Sequence, residues 1–362
     1  MENFKITIIH HNDLDGIGAA AIAYHAAMDS YNGNVDAKFV SYCYNDASNN
    51  RANEALLEAA VTSRAVYIVD ISISEANIDK LSNIYKVPSA RLNWCDHHAS
   101  SVKWLQSIAG TDKDLKYNGI VNPRRSGAYH TYKYVWLTTK TVPRFVKLID
   151  DYDRYQLRDE DSKYLNTAFF ALDDMKDPTS AIWDILCNCV GVETTLVRLI
   201  DKGRMIFDYL ESTYKTARKT RMIAAPVYIK SSDPKNNNML VYDSLCINHA
   251  GDPAVFGEQK NREDIDICIS WYKTNTDGIK YSLRTSHNWV RCDIIAKYLG
   301  GGGHKLAAGA VVEGSNCTVP SKACALEITV SPRITRFSEL LSGRSLLLSN
   351  IEGVSNISLL TP

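Results

Sequence analysis

The chain has 362 residues, 45% hydrophobic and 23% charged, with 41 Lys and Arg balanced by 41 Asp and Glu. That composition excludes a disordered or fibrous protein, and at about 100–200 residues per domain the length predicts two domains. No apolar run approaches the ~18 residues of a membrane span, and the N-terminus leads through Glu2 and Asn3 into a strand rather than a signal peptide. A cytoplasmic protein without a membrane partner is expected.

Residues 5–9 form a β-branched run that breaks at His10, His11, Asn12 and Asp13, and an alanine-rich stretch over 16–28 reads as a helix. The rhythm repeats: strand 37–42, helix 50–61, strand 65–69 ending at Asp70, helix 75–85, strand 91–95 ending at Asp96. Strands alternating with helices predict an α/β fold with a parallel sheet covered on both faces. Ser126, Gly127 and Ala128 start a further helix, and 143–155 is a helix carrying Asp150, Asp151 and Asp153. A helix over 192–223 reads as a connector. Strands follow at 227–229, 239–242, 266–271 and 280–284, then a helix at 290–298 and the glycine run 300–303 before His304. Residues 313–362 suit one or two strands and a short helix.

Charge is uneven along the chain. Residues 1–200 hold 21 Lys and Arg against 25 Asp and Glu, leaving 20 against 16 beyond them, so net −4 gives way to net +4. A carboxylate-rich metal site followed by a phosphate-contacting surface would leave that imprint. Nine cysteines, of which only Cys187 and Cys189 are close, complete no zinc site and read as reduced thiols. Gly16 and Gly18 lack the third glycine of a dinucleotide loop, and Asp13 and Asp15 would repel a pyrophosphate. Arg124, Arg125 and Ser126 either bind a phosphate at a helix start or form an N-cap with two solvated arginines.

In parallel sheets the groups at the carboxyl ends of the strands converge. His11, Asp13 and Asp15 follow the first strand, Asp70 closes the third, and Asp96, His97 and His98 close the fourth. With an aspartate near 151 they supply the oxygen and imidazole donors that a pair of hard divalent cations requires.

These residues resemble the motifs of the DHH-family phosphoesterases. The stretch from His11 through Asp13 and Asp15 to Gly16 matches the first motif, Val69 and Asp70 the second, and Asp96, His97 and His98 the triplet that names the family. The fourth motif falls on the 149–153 segment, where Asp150, Asp151 and Asp153 are all candidates and Asp151 is favoured. Arg284 with Gly301, Gly302, Gly303 and His304, followed by Ala307, Ala308 and Gly309, resembles the DHH-associated C-terminal domain, DHHA1. The resemblance implies a DHH catalytic domain over 1–191, a helical connector over 192–223, a smaller mixed-sheet DHHA1-like domain over 224–331 and an extension over 332–362. It places the active site in the interdomain cleft.

The resemblance also implies the roles. His11, Asp13 and Asp70 would hold one manganese-type ion and Asp15, Asp70, His97 and Asp151 the other, with magnesium or cobalt as substitutes. Asp70 would bridge the two ions and share in catalysis. Asp96 would support a ligand histidine, and His98 would contact the substrate phosphate. Arg284, Gly301, Gly302, Gly303 and His304 would bind substrate. The implied reaction is two-metal attack of a bridging hydroxide on short RNA or DNA oligonucleotides, or on linear or cyclic dinucleotides, by a chain that could act as a homodimer. The pI of 7.1 agrees with a short substrate, because gripping a long strand favours a basic groove. The rival readings are a RecJ-like processive exonuclease and a non-catalytic nucleotide-binding module of the same fold.

Overall fold

The computed structural model describes residues 3–44, 48–136, 141–188, 192–231, 239–250, 253–313, 319–322, 324–330, 345–347 and 358–360. The chain divides into two compact units, Met1–Asp208 and Tyr209–Pro362. Cys189 and the greater part of the 332–362 extension lie outside the described residues.

In the first unit, β1 (Phe4–His11), β2 (Val35–Tyr42), β3 (Ala65–Val69) and β4 (Leu92–Cys95) form an all-parallel sheet in the order β2-β1-β3-β4. β1, β3 and β4 are largely buried on both faces, which is why they read as near-continuous apolar runs, whereas the edge strand β2 exposes Asp36 and Lys38. Ile6 and Ile8 turn to one core with Val69 and Cys95, and Ile9 turns to the other with Val66, Ile68 and Trp94. The helices α1 (Leu14–Ser30), α4 (Gly127–Val135), α5 (Arg144–Asp153), α6 (Asp161–Ala171) and α7 (Ala181–Asn188) cover the first face. The second is covered by α2 (Ser48–Thr62), α3 (Ala99–Ile108) and the segment Ile78–Lys86. The chain runs from β1 outward to β2, then returns past β1 to β3. The strand order therefore reverses between β1 and β3, and the crevice beyond their carboxyl ends is where such sheets place ligands.

Residues 75–85, expected to form an α-helix, instead hold the 3₁₀ segment Ile78–Lys86, kinked at Leu81. The cause is in the spacing: Ile78, Leu81, Ile84 and Val87 recur every third residue against the core, the period of a 3₁₀ turn.

The long helix α8 (Val192–Arg221) passes the Asp208 division. Gly203 sits so close to the Tyr164 carbonyl that a Cβ there would lie 1.9 Å from it, and Arg204 pairs with Asp161 at 3.1 Å. At its end α8 runs directly into β5 (Met222–Ser231) without a turn.

The second unit is a seven-stranded mixed sheet. Beyond β5 it contains β6 (Met239–Asn248), β7 (Ile267–Lys273), β8 (Ile279–Arg284), β9 (Gly302–His304), β10 (Ala307–Val312) and β11 (Leu326–Val330), in the order β11-β5-β6-β7-β8-β10-β9. Its core joins Ile267, Ile269, Tyr281 and Leu283 to Val290, Ile295 and Ala296 of the segment around α9 (Cys292–Tyr298). A second cluster packs Tyr214 and Ala217 of α8 against Leu245, Ile247 and Phe256. Short strands at Ser345–Leu347 and Ser358–Leu360 pair with each other; the described residues of the tail hold no helix. No helix among the described residues is long and apolar enough to cross a membrane, and the cysteines described are all unbridged.

Candidate metal centre

At the exit of β1, Asp13 caps α1: its Oδ1 accepts from Gly16 N at 2.9 Å. Gly16 is required there, because a Cβ would lie 2.3 Å from the His11 carbonyl oxygen. His11 Nδ1 stands 2.9 Å from Asp13 Oδ2 and 3.7 Å from Asp70 Oδ2. Its neighbour His10 faces the other way, with Nδ1–H donating to the His11 carbonyl at 2.8 Å, and is a satisfied buried histidine.

Asp70 leaves β3 with φ +54°, a left-handed conformation that aspartate tolerates better than most residues. A Cβ on Gly127 would come within 2.7 Å of the Asp70 Cβ, so glycine is what lets α4 approach. The two amides at the start of that helix, Gly127 N and Ala128 N, donate to Asp15 at 2.6 and 2.9 Å. Asp150 takes Ser126 N and the Arg125 guanidinium, both at 2.7 Å. The α4 N-terminus therefore already holds a carboxylate of the chain itself and Arg125 is paired, which decides the Arg125–Ser126 segment in favour of the N-cap.

From β4, Asp96 is fully buried; its Oδ1 accepts from His98 Nδ1 at 2.7 Å and its Oδ2 from the Ser101 hydroxyl. Asp96, expected to accept a hydrogen bond from a ligand histidine, accepts one from His98 and so orients that ring. The Ser101 oxygen also accepts Ile73 N at 3.1 Å, and Trp94 Nε1 donates to the Ile71 carbonyl at 3.2 Å. The loop after Asp70 is thus tied twice to the β4 region.

His97 Nε2 lies 3.3 Å from both Asp70 Oδ1 and Asp153 Oδ2. The expected Asp151 is not in this cluster: its two oxygens accept the backbone N–H groups of Arg158 and Asp159, each at 3.1 Å. Helix phase explains the correction. Val146, Ile149, Asp150 and Asp153 follow one another at short steps on the buried side of α5, whereas Asp151 points away from it. That spacing is present in the sequence and is the signal that identifies Asp153.

Among the described residues, three overlapping groups bring ligand atoms within 4.8 Å of one another: Asp70 with His97 and His98, His11 with Asp13 and Asp70, and Asp15 with His97 and Asp153. Asp70 belongs to two of them. Its Oδ1 and Asp153 Oδ2 are buried yet accept no hydrogen bond, a costly condition for carboxylate oxygens and the one that a bound cation relieves. The donors are carboxylates and imidazoles without a thiolate, a set that fits hard or borderline divalent cations.

The electrostatics show the same demand. Burial, with the charges of Asp15, Asp13 and Asp153, raises Asp70 well above the usual carboxylate range, and burial with the charges of surrounding acids raises Asp153. Burial and the Asp13 charge lift Asp15 to about 6, against the opposing pull of the α4 amides. Asp13 and Asp96 are held low, because contacts with His11 and with His98 outweigh their burial. His11 and His98 are raised by those same acids despite burial.

Of the expected substrate-binding residues, His98 lies in the first unit, and Arg284, Gly301, Gly302, Gly303 and His304 lie in the second. The register aligns Arg284 of β8, Ala307 of β10 and His304 of β9, so Arg284 and His304 share one sheet face two strands apart. Arg284 Nη1 donates to the Leu283 carbonyl at 2.8 Å. Three of the four glycines have structural duties. Gly300, at φ +78°, closes α9, with Gly300 N donating to the Lys297 carbonyl and Gly301 N to the Ala296 carbonyl. A Cβ on Gly301 would meet the Gly309 carbonyl at 2.1 Å, and one on Gly303 the Ala308 Cα at 2.6 Å. Around Gly302 a Cβ would meet nothing, so packing does not require that glycine.

The chain is 24% identical to oligoribonuclease NrnB of Bacillus subtilis (strain 168) over 311 residues, which span 83% of this chain and 71% of that protein. It is 23% identical to an uncharacterized protein of Acanthamoeba polyphaga mimivirus over 321 residues, 88% of this chain and 70% of the other. A solved DHH domain, described as belonging to a family of ribosomal proteins, superposes with a TM-score of 0.50 at 14% identity over 85% of this chain and 82% of that one. No family model matches the chain.

Proposed function

We propose that this chain, a DHH-family protein by its fold and its motifs, is a divalent-cation-dependent phosphodiesterase that cuts short oligonucleotides or dinucleotides to mononucleotides. The observation that carries the reading is Asp70: a buried carboxylate at the carboxyl end of β3, shared by two ligand groups, with an oxygen that accepts no hydrogen bond.

His11, Asp13 and Asp70 would hold one cation and Asp15, Asp70, His97 and Asp153 the second, with manganese the ion of choice. When bound, such a pair neutralises charge developing on phosphate and acidifies water near neutral pH. The chain's own part is to keep the acids in place and to grip the ester. Asp13, fixed by Gly16 N, and Asp15, fixed by the α4 amides, cannot rotate away when a cation leaves. Asp96 holds His98 by Nδ1, which leaves Nε2 as the nitrogen that would donate to a phosphate oxygen. In the second unit, Arg284 and His304 would bind the far phosphate or terminal hydroxyls, with the Gly302 backbone approaching closely because no side chain intervenes. The units take the roles of catalytic domain and substrate-binding domain.

A short substrate is supported by the name of the Bacillus subtilis relative, an oligoribonuclease, and by the zero net charge, since gripping a long strand favours a net basic protein. The test is hydrolysis with Mn²⁺ of 5′-labelled RNA and DNA from two to about twenty nucleotides, beside cyclic dinucleotides and 3′-phosphoadenosine phosphate. Rates highest on two to five nucleotides support the proposal. Rates that rise with length would replace it with a processive exonuclease, and no turnover on any substrate would replace it with a binding module.

A further inference from the structure

We infer that Asp150 is a positioning residue for one cation of the pair, the one that Asp15, His97 and Asp153 would hold; this rests on the two-cation reading above and names the residue that sets the spacing between two of those ligands. The last turn of α5 carries three acids, Asp150, Asp151 and Asp153, and no basic residue, against the negative end of the helix dipole. Each acid has its own reason to be there. Asp153 joins a metal-ligand group, and Asp151 accepts Arg158 N and Asp159 N. Asp150 is buried and turns both oxygens to the start of α4: Ser126 N donates to Oδ1 and Arg125 Nη1 to Oδ2, both at 2.7 Å, while Arg154 Nη1 stands 3.6 Å from Oδ2. Arg125 is itself steadied by Tyr129, with the guanidinium 4.9 Å from the ring centre.

These bonds form a path from one ligand to the other. Asp150 and Asp153 are one helical turn apart on the same side of α5, so a contact that fixes the first restrains the second. Ser126 is the N-cap of α4, and the two amides that follow it, Gly127 N and Ala128 N, hold Asp15 at 2.6 and 2.9 Å. Asp15 is therefore bonded to the first turn of α4, that turn is bonded to Asp150, and Asp150 shares a turn with Asp153. The two ligands oppose one another, since burial and then the Asp15 charge raise Asp153. The Ser126 N bond to Asp150 joins α4 to α5 and keeps their ends together against that repulsion. A carboxylate disfavoured at the end of its own helix is favoured at the N-terminus of its neighbour.

The other cation depends on this link far less. Asp13 is fixed within its own helix by Gly16 N, and His11 stands beside it on β1. Their group meets α4 at Asp70, by packing against Gly127. Loss of Asp150 should therefore loosen one ligand group and spare the other, a selectivity that general destabilisation of the fold would not produce.

The test is Mn²⁺ binding to the full chain, followed by electron paramagnetic resonance, which reads the number of bound ions and the magnetic coupling of a pair that shares a ligand, independently of turnover. The native chain should bind two ions. Asp150→Ala should weaken one of them by about 10- to 100-fold, leave the other within about twofold, and replace the coupled spectrum by that of an isolated ion at Mn²⁺ concentrations that saturate the native pair. Asp150→Asn, whose carboxamide oxygen still accepts Ser126 N, should show the same selectivity with a smaller loss, and it carries the test if the alanine variant does not fold. In an Asp15→Asn background, where the same cation has already lost a ligand, Asp150→Ala should weaken binding no further. Equal weakening of both ions, no weakening in the folded variants, or full additivity with Asp15→Asn would each overturn the role. Oligonucleotide hydrolysis on the same samples separates the two readings: selective loss of one ion in a chain without turnover removes the phosphodiesterase and leaves the positioning role, and turnover with an unselective loss does the reverse. A native chain that binds a single ion would overturn the role together with the pair on which it rests.

Discussion

Around Asp70, itself only 1% exposed, the first unit gathers six further acids and histidines whose ligand atoms converge. The row of Arg284, Ala307 and His304 in the second unit lies instead at the rim of a sheet, with His304 exposed and Gly302 half-buried. The acids of the first unit repel one another and leave two buried oxygens without hydrogen bonds, a tension that protons or cations relieve. The second surface has no such tension, since Gly300, Gly301 and Gly303 are explained by backbone geometry and packing alone. Where the native fold keeps carboxylates against their own electrostatics, the residues are there for chemistry; where each residue is satisfied by the fold, the functional load is light and spread out.

The largest effect expected from breaking this contrast is at Asp70. Asp70→Asn keeps the shape but removes the charge common to both ligand groups, and hydrolysis should fall by about 10³-fold or more while far-UV circular dichroism is unchanged. Near-native turnover in the folded variant would remove the metal centre from the account. Next is the choice within α5. Asp153→Asn should lower activity by about 100-fold, whereas Asp151→Asn should leave turnover within about twofold and lower stability by about 1 kcal/mol, because the carboxamide keeps one acceptor oxygen and loses the other backbone contact. The reverse ranking, read from kcat and thermal melts of the two variants, would restore Asp151 as the ligand.

On the second unit the effects should be smaller and of another kind. His304→Ala should raise KM about tenfold with kcat and bound metal nearly unchanged, by analogy with the loss of one charge-assisted contact. Loss of metal in that variant would show that the two surfaces are not separable as described.

The smallest effect concerns pH. Burial and mutual repulsion raise Asp15, Asp70 and Asp153, so above about pH 4 the metal-free folded chain retains protons that the unfolded chain releases. The stability due to these groups is complete below that pH and is lost as pH rises through their folded values, past about 6 for Asp15. Asp13 and Asp96 act oppositely, losing their contribution as pH falls below about 4. The rise in Tm produced by saturating Mn²⁺ should therefore be larger at pH 7.5 than at pH 5, by a few degrees. An equal rise at both values would mean that cations do not relieve these carboxylates.

Much of the first unit is legible in the sequence because β1, β3 and β4 are largely buried and each is followed closely by an acid or a histidine. The 65–69 run and the Asp70 that closes it need no structure to be found. The 75–85 segment misleads because a three-residue and a 3.6-residue period differ little over so short a stretch. Asp151 is favoured over Asp153 at first reading because the fourth motif supplies a cluster of acids without a phase, although Val146 and Ile149 carry that phase. In the second unit, β5 reads too short because α8 passes into it with no turn residue, and Pro226 looks like a break. The structure accommodates Pro226 opposite Asp243, just before pairing with β11 begins at Val227, where its missing N–H costs no ladder bond to that strand.

Anomalous diffraction at the manganese edge, from crystals of the chain grown with Mn²⁺, tests the central claim most directly. The account predicts two peaks that share Asp70, one also bound by His11 and Asp13 and the other by Asp15, His97 and Asp153. A single peak, or a pair that leaves Asp70 without a metal, would contradict it.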